Sequence, residues 1–147
     1  LMPPLTAAHL AQRNHPQFPR PTLVNQPALT VVGLMTIARD ETAVTQLHHQ
    51  FTHPPTHTIY HYPDFWAENG KPVLSGREGR AAAPPLVAQT IPAHTYACFA
   101  LPESVAERPL LSDYIYQTWL PQSGYRVALP LALEHNHQLC VPVVLAG

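Results

Sequence analysis

Proline punctuates this chain. Eighteen of its 147 residues are proline, and they are spread from Pro3 to Pro142 rather than gathered in one tract. Proline lacks a backbone N–H and fixes φ, so it interrupts helix interiors and central strands alike. A chain divided this often reads as short strands and short helices with turns between them. Hydrophobic residues still make up 46%, enough for a sizeable core in one domain of ordinary size.

The segments between the breaks have different periods. Residues 1–20 carry several prolines and read as a linker or N-terminal arm. Residues 21–147 read as the folded domain. "TLVNQPALTVVGLMTIA", from Thr22 to Ala38, is rich in β-branched residues and is broken at Pro27. It predicts two short strands or one bent strand. Val44, Leu47, His48 and Phe51 then fall on one helix face. Asp40 or Thr42 can cap that helix, and Pro54 stops it. Thr56 to Tyr62 alternates as a strand, and "VLSGREGR" allows another. After Leu86 a strand-like run is again broken by a proline, Pro92. "SDYIYQTWLP" predicts a short helix with Ser112 as N-cap, Asp113 in its first turn and Pro121 beyond its end. A strand at "GYRVALP" follows. The closing strand, "LALEHNHQLCVPVVL", is expected at a sheet edge because it contains Pro142.

The order of these elements repeats. "QPALTVVGL" and "IPAHTYACF" share a Pro-Ala step before a strand. Each is followed by a helix that ends in an aromatic residue and then a proline: Phe51 with Pro54, Trp119 with Pro121. A further strand follows each helix. The fold class expected is α+β, with two strand–helix–strand–strand halves whose sheets pair and leave a groove between them. Such junctions are common ligand sites.

Charge narrows the function. Charged residues are 12% and the net charge is −1. There is no basic field to hold a phosphate backbone, so direct nucleic-acid binding by this chain is not expected. No apolar run is long enough to span a bilayer, and no basic amphipathic stretch suits a membrane surface. The N-terminus lacks the order of a signal peptide. Cys98 and Cys140 read as reduced, buried thiols, and the expected location is cytoplasmic.

Glu134 stands out because it ends the uncharged run from Val127 to Leu133. A carboxylate there is costly to bury without a partner. It either faces a groove, as a cation receptor or general base, or sits solvated at a strand end. Tyr96, Tyr114, Tyr116, Trp119, Tyr125 and Trp66 could line a cage for a planar or cationic molecule; composition by itself equally suits an ordinary core. Ten histidines include His135 and His137 at H-x-H spacing, but no third ligand with zinc-like spacing accompanies them. Neither a metal nor another cofactor is expected. Nothing resembles a nucleophile elbow or a phosphate-binding glycine loop.

"SDYIYQTWLPQSGYRV", followed by "LALEHNHQLCVPVVL", resembles the signature of the gyrase-inhibitor-like (GyrI-like) small-molecule-binding domain. The matching residues are Trp119, Leu120-Pro121, Ser123-Gly124-Tyr125, Glu134 and Pro142-Val143. The resemblance covers roughly Pro21 to Leu145. It implies two modules related by a pseudo-two-fold, with antiparallel sheets and a central ligand cleft. Members of the family act as effector-binding halves of AraC-type and MerR-type transcription regulators, as multidrug binders, as stand-alone gyrase inhibitors, and in some cases as hydrolases of cyclopropane-bearing alkylators. By motif position the resemblance implies that Glu134 is the ligand-binding carboxylate, with Trp119, Tyr116 and Tyr96 as cage members; Tyr125 and Trp66 join them as candidate ligand-binding residues on aromatic character alone. His135-Asn136-His137 stand where many members carry a tyrosine after the glutamate.

The expected function is that of a non-enzymatic small-molecule effector or drug-binding domain of a bacterial protein. It would stand alone or form the ligand-sensing half of a regulator whose longer chain carries a DNA-binding domain. The alternatives are a detoxifying hydrolase using Glu134 and Tyr116, or a gyrase-interacting protein.

Overall fold

The computed structural model describes residues 18–61 and 70–146. Most of the expected N-terminal arm, and Trp66, lie outside the described residues. Strand β1 (Thr22–Gln26) and β2 (Leu29–Ala38) are separated at Pro27. Helix α1 (Glu41–His48) starts at the Asp40 cap, whose carboxylate accepts from the Ala43 N–H at 2.9 Å. Strands β3 (His57–His61) and β4 (Lys71–Glu78) follow, then β5 (Val87–Ile91) and β6 (His94–Ala100) on either side of Pro92. A helical segment crosses next. It consists of a 3-10 turn (Val105–Glu107), α2 (Arg108–Asp113), a π-helical stretch (Tyr114–Trp119) and α3 (Leu120–Ser123). Strands β7 (Tyr125–Val127), β8 (Leu131–His135) and β9 (Gln138–Leu145) complete the chain.

The strands form an antiparallel sheet in the order β1-β6-β9-β8-β3-β4-β2-β5, with β7 paired to β9. The α+β class expected from the sequence is observed, as a mostly antiparallel sheet with few helices. Alternation along the strands divides the core into two clusters. On the helix side, Val44, Leu47, Leu111 and Ile115 pack against Tyr60, Val73, Phe99 and Val141. On the opposite side lie Val31, Ile59, Leu74, Ile91, Tyr96 and Leu133, with both cysteines. Cys98 and Cys140 are register partners on β6 and β9, buried and unbridged.

Two expectations are corrected. The second helix does not begin at a Ser112 cap and does not end before Pro121. It begins at Arg108, with Pro109 in its first turn, where the missing N–H has no intrahelical role. It runs on through Pro121 because its middle widens: the Leu120 N–H reaches back five residues to the Ile115 carbonyl. In a regular α-helix the Pro121 ring would press on the Gln117 carbonyl. Gly124, at φ 80°, then caps the end, and Ser123 Oγ donates to the Leu120 carbonyl and accepts from the Tyr125 N–H.

The strand with Pro142 is not an edge strand. It lies between β6 and β8. Along its other side, Gln138–Cys140 pair with β8 and Val143–Leu145 pair with β7. Pro142 sits at this change of partner. Its carbonyl faces the gap, accepting from the Ala128 N–H at 2.9 Å, so the absent N–H interrupts no ladder bond there.

Candidate functional site

The site is built on the pairing of β3 with β8. Thr58 stands opposite Glu134 in that ladder, and Tyr60 opposite Ala132. Alternation turns Thr58, Tyr60 and Glu134 to the helix side. The Tyr60 hydroxyl donates to Glu134 Oε1 at 3.0 Å. Arg108, at the start of α2, donates from Nη1 to the same oxygen at 3.1 Å. The Glu134 side chain is 18% exposed and that of Arg108 is 27% exposed. A carboxylate this far from water needs partners, and the chain supplies two of them from different elements.

A second polar group adjoins it. His48, the last residue of α1, has Nε2 at 2.9 Å from Ser75 Oγ and 3.3 Å from Thr58 Oγ1. The two hydroxyls are 2.9 Å apart. Burial lowers the His48 pKa, and neighbouring Glu134 partly offsets this. Burial raises the Glu41 pKa, and repulsion from Glu134 adds to the rise. The Tyr60 hydroxyl is pushed well above its usual pKa by burial and then by Glu134. It therefore remains a protonated donor across the physiological range.

Glu134, Arg108, His48 and Thr58 border a cavity of about 680 Å³, within the range of small-molecule sites. Glu134, Arg108, His48, Thr58, His135 and His137 contribute its polar wall; Phe51, Pro54, Pro55 and Leu101 contribute apolar surface. His135 also stacks on His57, with ring centroids 3.9 Å apart. Among the described residues, no three His, Cys, Asp or Glu side chains are grouped so as to hold a metal ion.

Of the residues singled out in the sequence, Glu134 borders this cavity. Tyr96 is buried in the cluster on the other face, where its hydroxyl donates to the Pro92 carbonyl at 3.2 Å. Trp119 stacks on Tyr125 at 6.2 Å and meets Phe99 edge-on at 5.1 Å. It lines a separate shallow groove with Tyr114. Tyr116 packs against the helix-side core. The tyrosine hydroxyl on Glu134 belongs to Tyr60, which sequence reasoning did not single out, and neither did it single out Arg108. The alternation of "THTIYHY" puts Tyr60 on the same face as Thr58, which was a usable signal. Arg108 stood between the strand broken at Pro92 and the helix expected at "SDYIYQTWLP", with no periodicity to orient it.

The family described as the GyrI-like small molecule binding domain matches residues 47–141. Among solved structures, the chain resembles the crystal structure of the EcmrR C-terminal domain, with TM-score 0.59 and 16% identity over 85% of this chain and 97% of that one. An integron cassette protein from the mobile metagenome of Vibrio cholerae has TM-score 0.54 at 8% identity, over 88% and 97% of the two chains. The cryo-EM structure of an EcmrR–DNA complex has TM-score 0.58 at 16% identity, with 85% of this chain matched to 57% of that one. At these identities the likeness is one of fold. No curated protein sequence matches the chain. Among the described residues, no helix is long and apolar enough to cross a membrane.

Proposed function

The chain belongs to the GyrI-like small-molecule-binding family, and from that membership we propose that it is an effector-binding domain with its ligand site in the Glu134 cavity. The observation that carries this reading is a partly buried carboxylate bordering a cavity of about 680 Å³ with both polar and apolar walls. Such a mixture orients a small molecule through a few polar groups and gains affinity from the apolar ones.

Strand order supports a reading of the domain as two matched halves around this site. The first half is β2, α1, β3 and β4; the second is β6, the helical segment, β8 and β9. In each, the last strand lies between the other two: β3-β4-β2 and β8-β9-β6. The halves meet where β3 pairs with β8, beside the cavity. A central cleft at a pseudo-two-fold is the arrangement this implies. The likeness to a chain found bound to DNA, of which the match covers 57%, supports a place as the ligand-sensing part of a regulator.

The test is a thermal-shift screen of lipophilic aromatic compounds, followed by calorimetry on the hits. Phe51→Ala, in the cavity wall, is expected to weaken binding by about 1–3 kcal/mol, the scale of an aromatic anchor. A screen without hits, or hits whose affinity ignores Phe51→Ala, would sink this assignment.

One observation favours a second reading, a hydrolase of cyclopropane-bearing electrophiles. Glu134 borders the cavity and could take a proton from an attacking water there, with the Tyr60 hydroxyl, buried behind it, orienting the carboxylate. Arg108 argues against it, because it occupies the same carboxylate oxygen. Incubation with such an alkylator decides the point: ring-opened product that vanishes in Glu134→Gln would favour the enzyme.

A further inference from the structure

The side chains of the cavity bear on the charge of its ligand. Glu134 is already neutralised from within the chain. Arg108 Nη1 and the Tyr60 hydroxyl both donate to its Oε1, at 3.1 and 3.0 Å. A cationic ligand would have to displace the guanidinium or settle against an ion pair of no net charge. Arg108, in contrast, has donor capacity left. A guanidinium carries five N–H donors in a planar fork suited to two-point recognition of a carboxylate. The Arg108 Nε is buried, and among the described residues it has no hydrogen-bond partner. A buried donor left unmade is costly, so an acceptor brought to it is stabilising.

The rest of the wall has the same bias. His48, His49, His135 and His137 border the cavity. Imidazoles add no negative charge to the wall; ring nitrogens of His48 and His135 are already engaged, with Ser75 and Thr58 and with the Thr56 carbonyl, which leaves Arg108 as the donor a ligand would meet. Glu134 is the sole carboxylate among the described lining residues. Phe51, Pro54, Pro55 and Leu101 present apolar surface next to the polar groups. One available guanidinium edge beside an ion pair matches a single negative charge. A dianion would bring uncompensated charge next to Glu134.

Resting on the ligand-binding reading, the geometry points to an organic monoanion as the ligand: an apolar body bearing one carboxylate, held by Arg108 through its unpaired Nε and the neighbouring guanidinium N–H. Glu134 then acts as the positioning residue that fixes Arg108, and does not serve as the receptor for a cation.

Calorimetry on the full chain with three probes of one shape tests this: 2-naphthoate, 2-naphthylmethylammonium and 2-naphthylmethanol. The carboxylate is expected to bind about tenfold tighter than either of the others, the scale of a charge-assisted hydrogen bond. Arg108→Gln is expected to weaken 2-naphthoate by about tenfold and leave the alcohol unchanged. Glu134→Gln keeps a side-chain oxygen to accept from Arg108 Nη1, so Arg108 stays positioned; it removes only the competing negative charge and is expected to tighten 2-naphthoate severalfold. Loss of fold cannot produce these opposite shifts. Preference for the ammonium probe, or weaker 2-naphthoate binding in Glu134→Gln, overturns the monoanion inference and leaves a binding domain standing. Heat from none of the three probes overturns both.

Discussion

Tyr60→Phe isolates one interaction at the site. The substitution removes the hydroxyl that donates to Glu134 Oε1 at 3.0 Å and keeps the ring, which is buried among Val73, Ala132 and the helix-side core. No cavity larger than the lost oxygen is created. The acceptor is a carboxylate whose side chain is 18% exposed, so water replaces the lost donor poorly. Hydrogen bonds to charged groups contribute about 1.5–3 kcal/mol, and Arg108 still partners the same oxygen, so a cost of about 2 kcal/mol is expected. With a urea m-value of about 1–3 kcal/mol/M for a small domain, the unfolding midpoint should fall by about 1 M at unchanged m. Repeating the substitution in Glu134→Gln closes a double-mutant cycle. The neutral amide accepts a weaker bond, so the cost of losing the hydroxyl should drop to about 1 kcal/mol. Equal costs in both backgrounds would refute the reasoning, because they would show that the hydroxyl stabilises the fold without regard to the charge on residue 134.

Two further outcomes are expected. Gly33 pairs with Gly76 across β2 and β4, and a Cβ on Gly33 would fall 1.9 Å from the Ser75 carbonyl oxygen; Gly33→Ala should therefore cost about 3 kcal/mol or more, and a change in unfolding free energy within experimental error would contradict that close approach. The pKa values of His48 and His57 are lowered, chiefly by burial, so both favour the neutral form in the folded state. Their contribution to stability is full above the unfolded pKa of 6.5 and is lost as pH falls through the lower folded values. Melting temperatures should therefore drop below pH 6.5, and the drop should be shallower in His48→Gln; an identical pH profile would remove His48 from the account.

Much of the fold was legible because its signals are local. Pro27 and Pro92 divide strands, and Asp40 caps a helix whose apolar spacing is regular. The errors arose where tertiary structure decides. Pro142 reads as an edge residue in isolation, yet β9 changes partner just where the N–H is missing. Pro121 reads as a stop, yet the π-helical stretch from Tyr114 to Trp119 makes room for it. The site was half legible. A lone carboxylate after an apolar run marks Glu134, but its partners are distant in sequence: Tyr60 is 74 residues away and Arg108 is 26 away. Only the β3–β8 pairing and the path of α2 bring them together. The aromatic residues were visible as letters, but their faces were not. Tyr96 belongs to the opposite side of the sheet from Glu134 because neighbouring positions on a strand alternate.

The pairing of Glu134 changes what a carboxylate at a ligand cavity implies in this chain. An unpaired carboxylate in a cavity selects for a cation by electrostatic attraction and by its own need for a partner. Here both needs are met by Tyr60 and Arg108 before any ligand arrives. The unmet need has moved one residue outward, to the Arg108 Nε. Selectivity follows the group that lacks a partner, because a ligand that completes it gains a hydrogen bond without breaking one. A ligand that must first separate Glu134 from Arg108 starts from the cost of leaving two partly buried charges unpaired. The arrangement also joins the two ends of the site: Tyr60 belongs to β3 and Arg108 to α2, and both are fastened to one oxygen on β8. A molecule held at Arg108 would therefore touch a direct partner of the carboxylate that ties β3, β8 and α2 together.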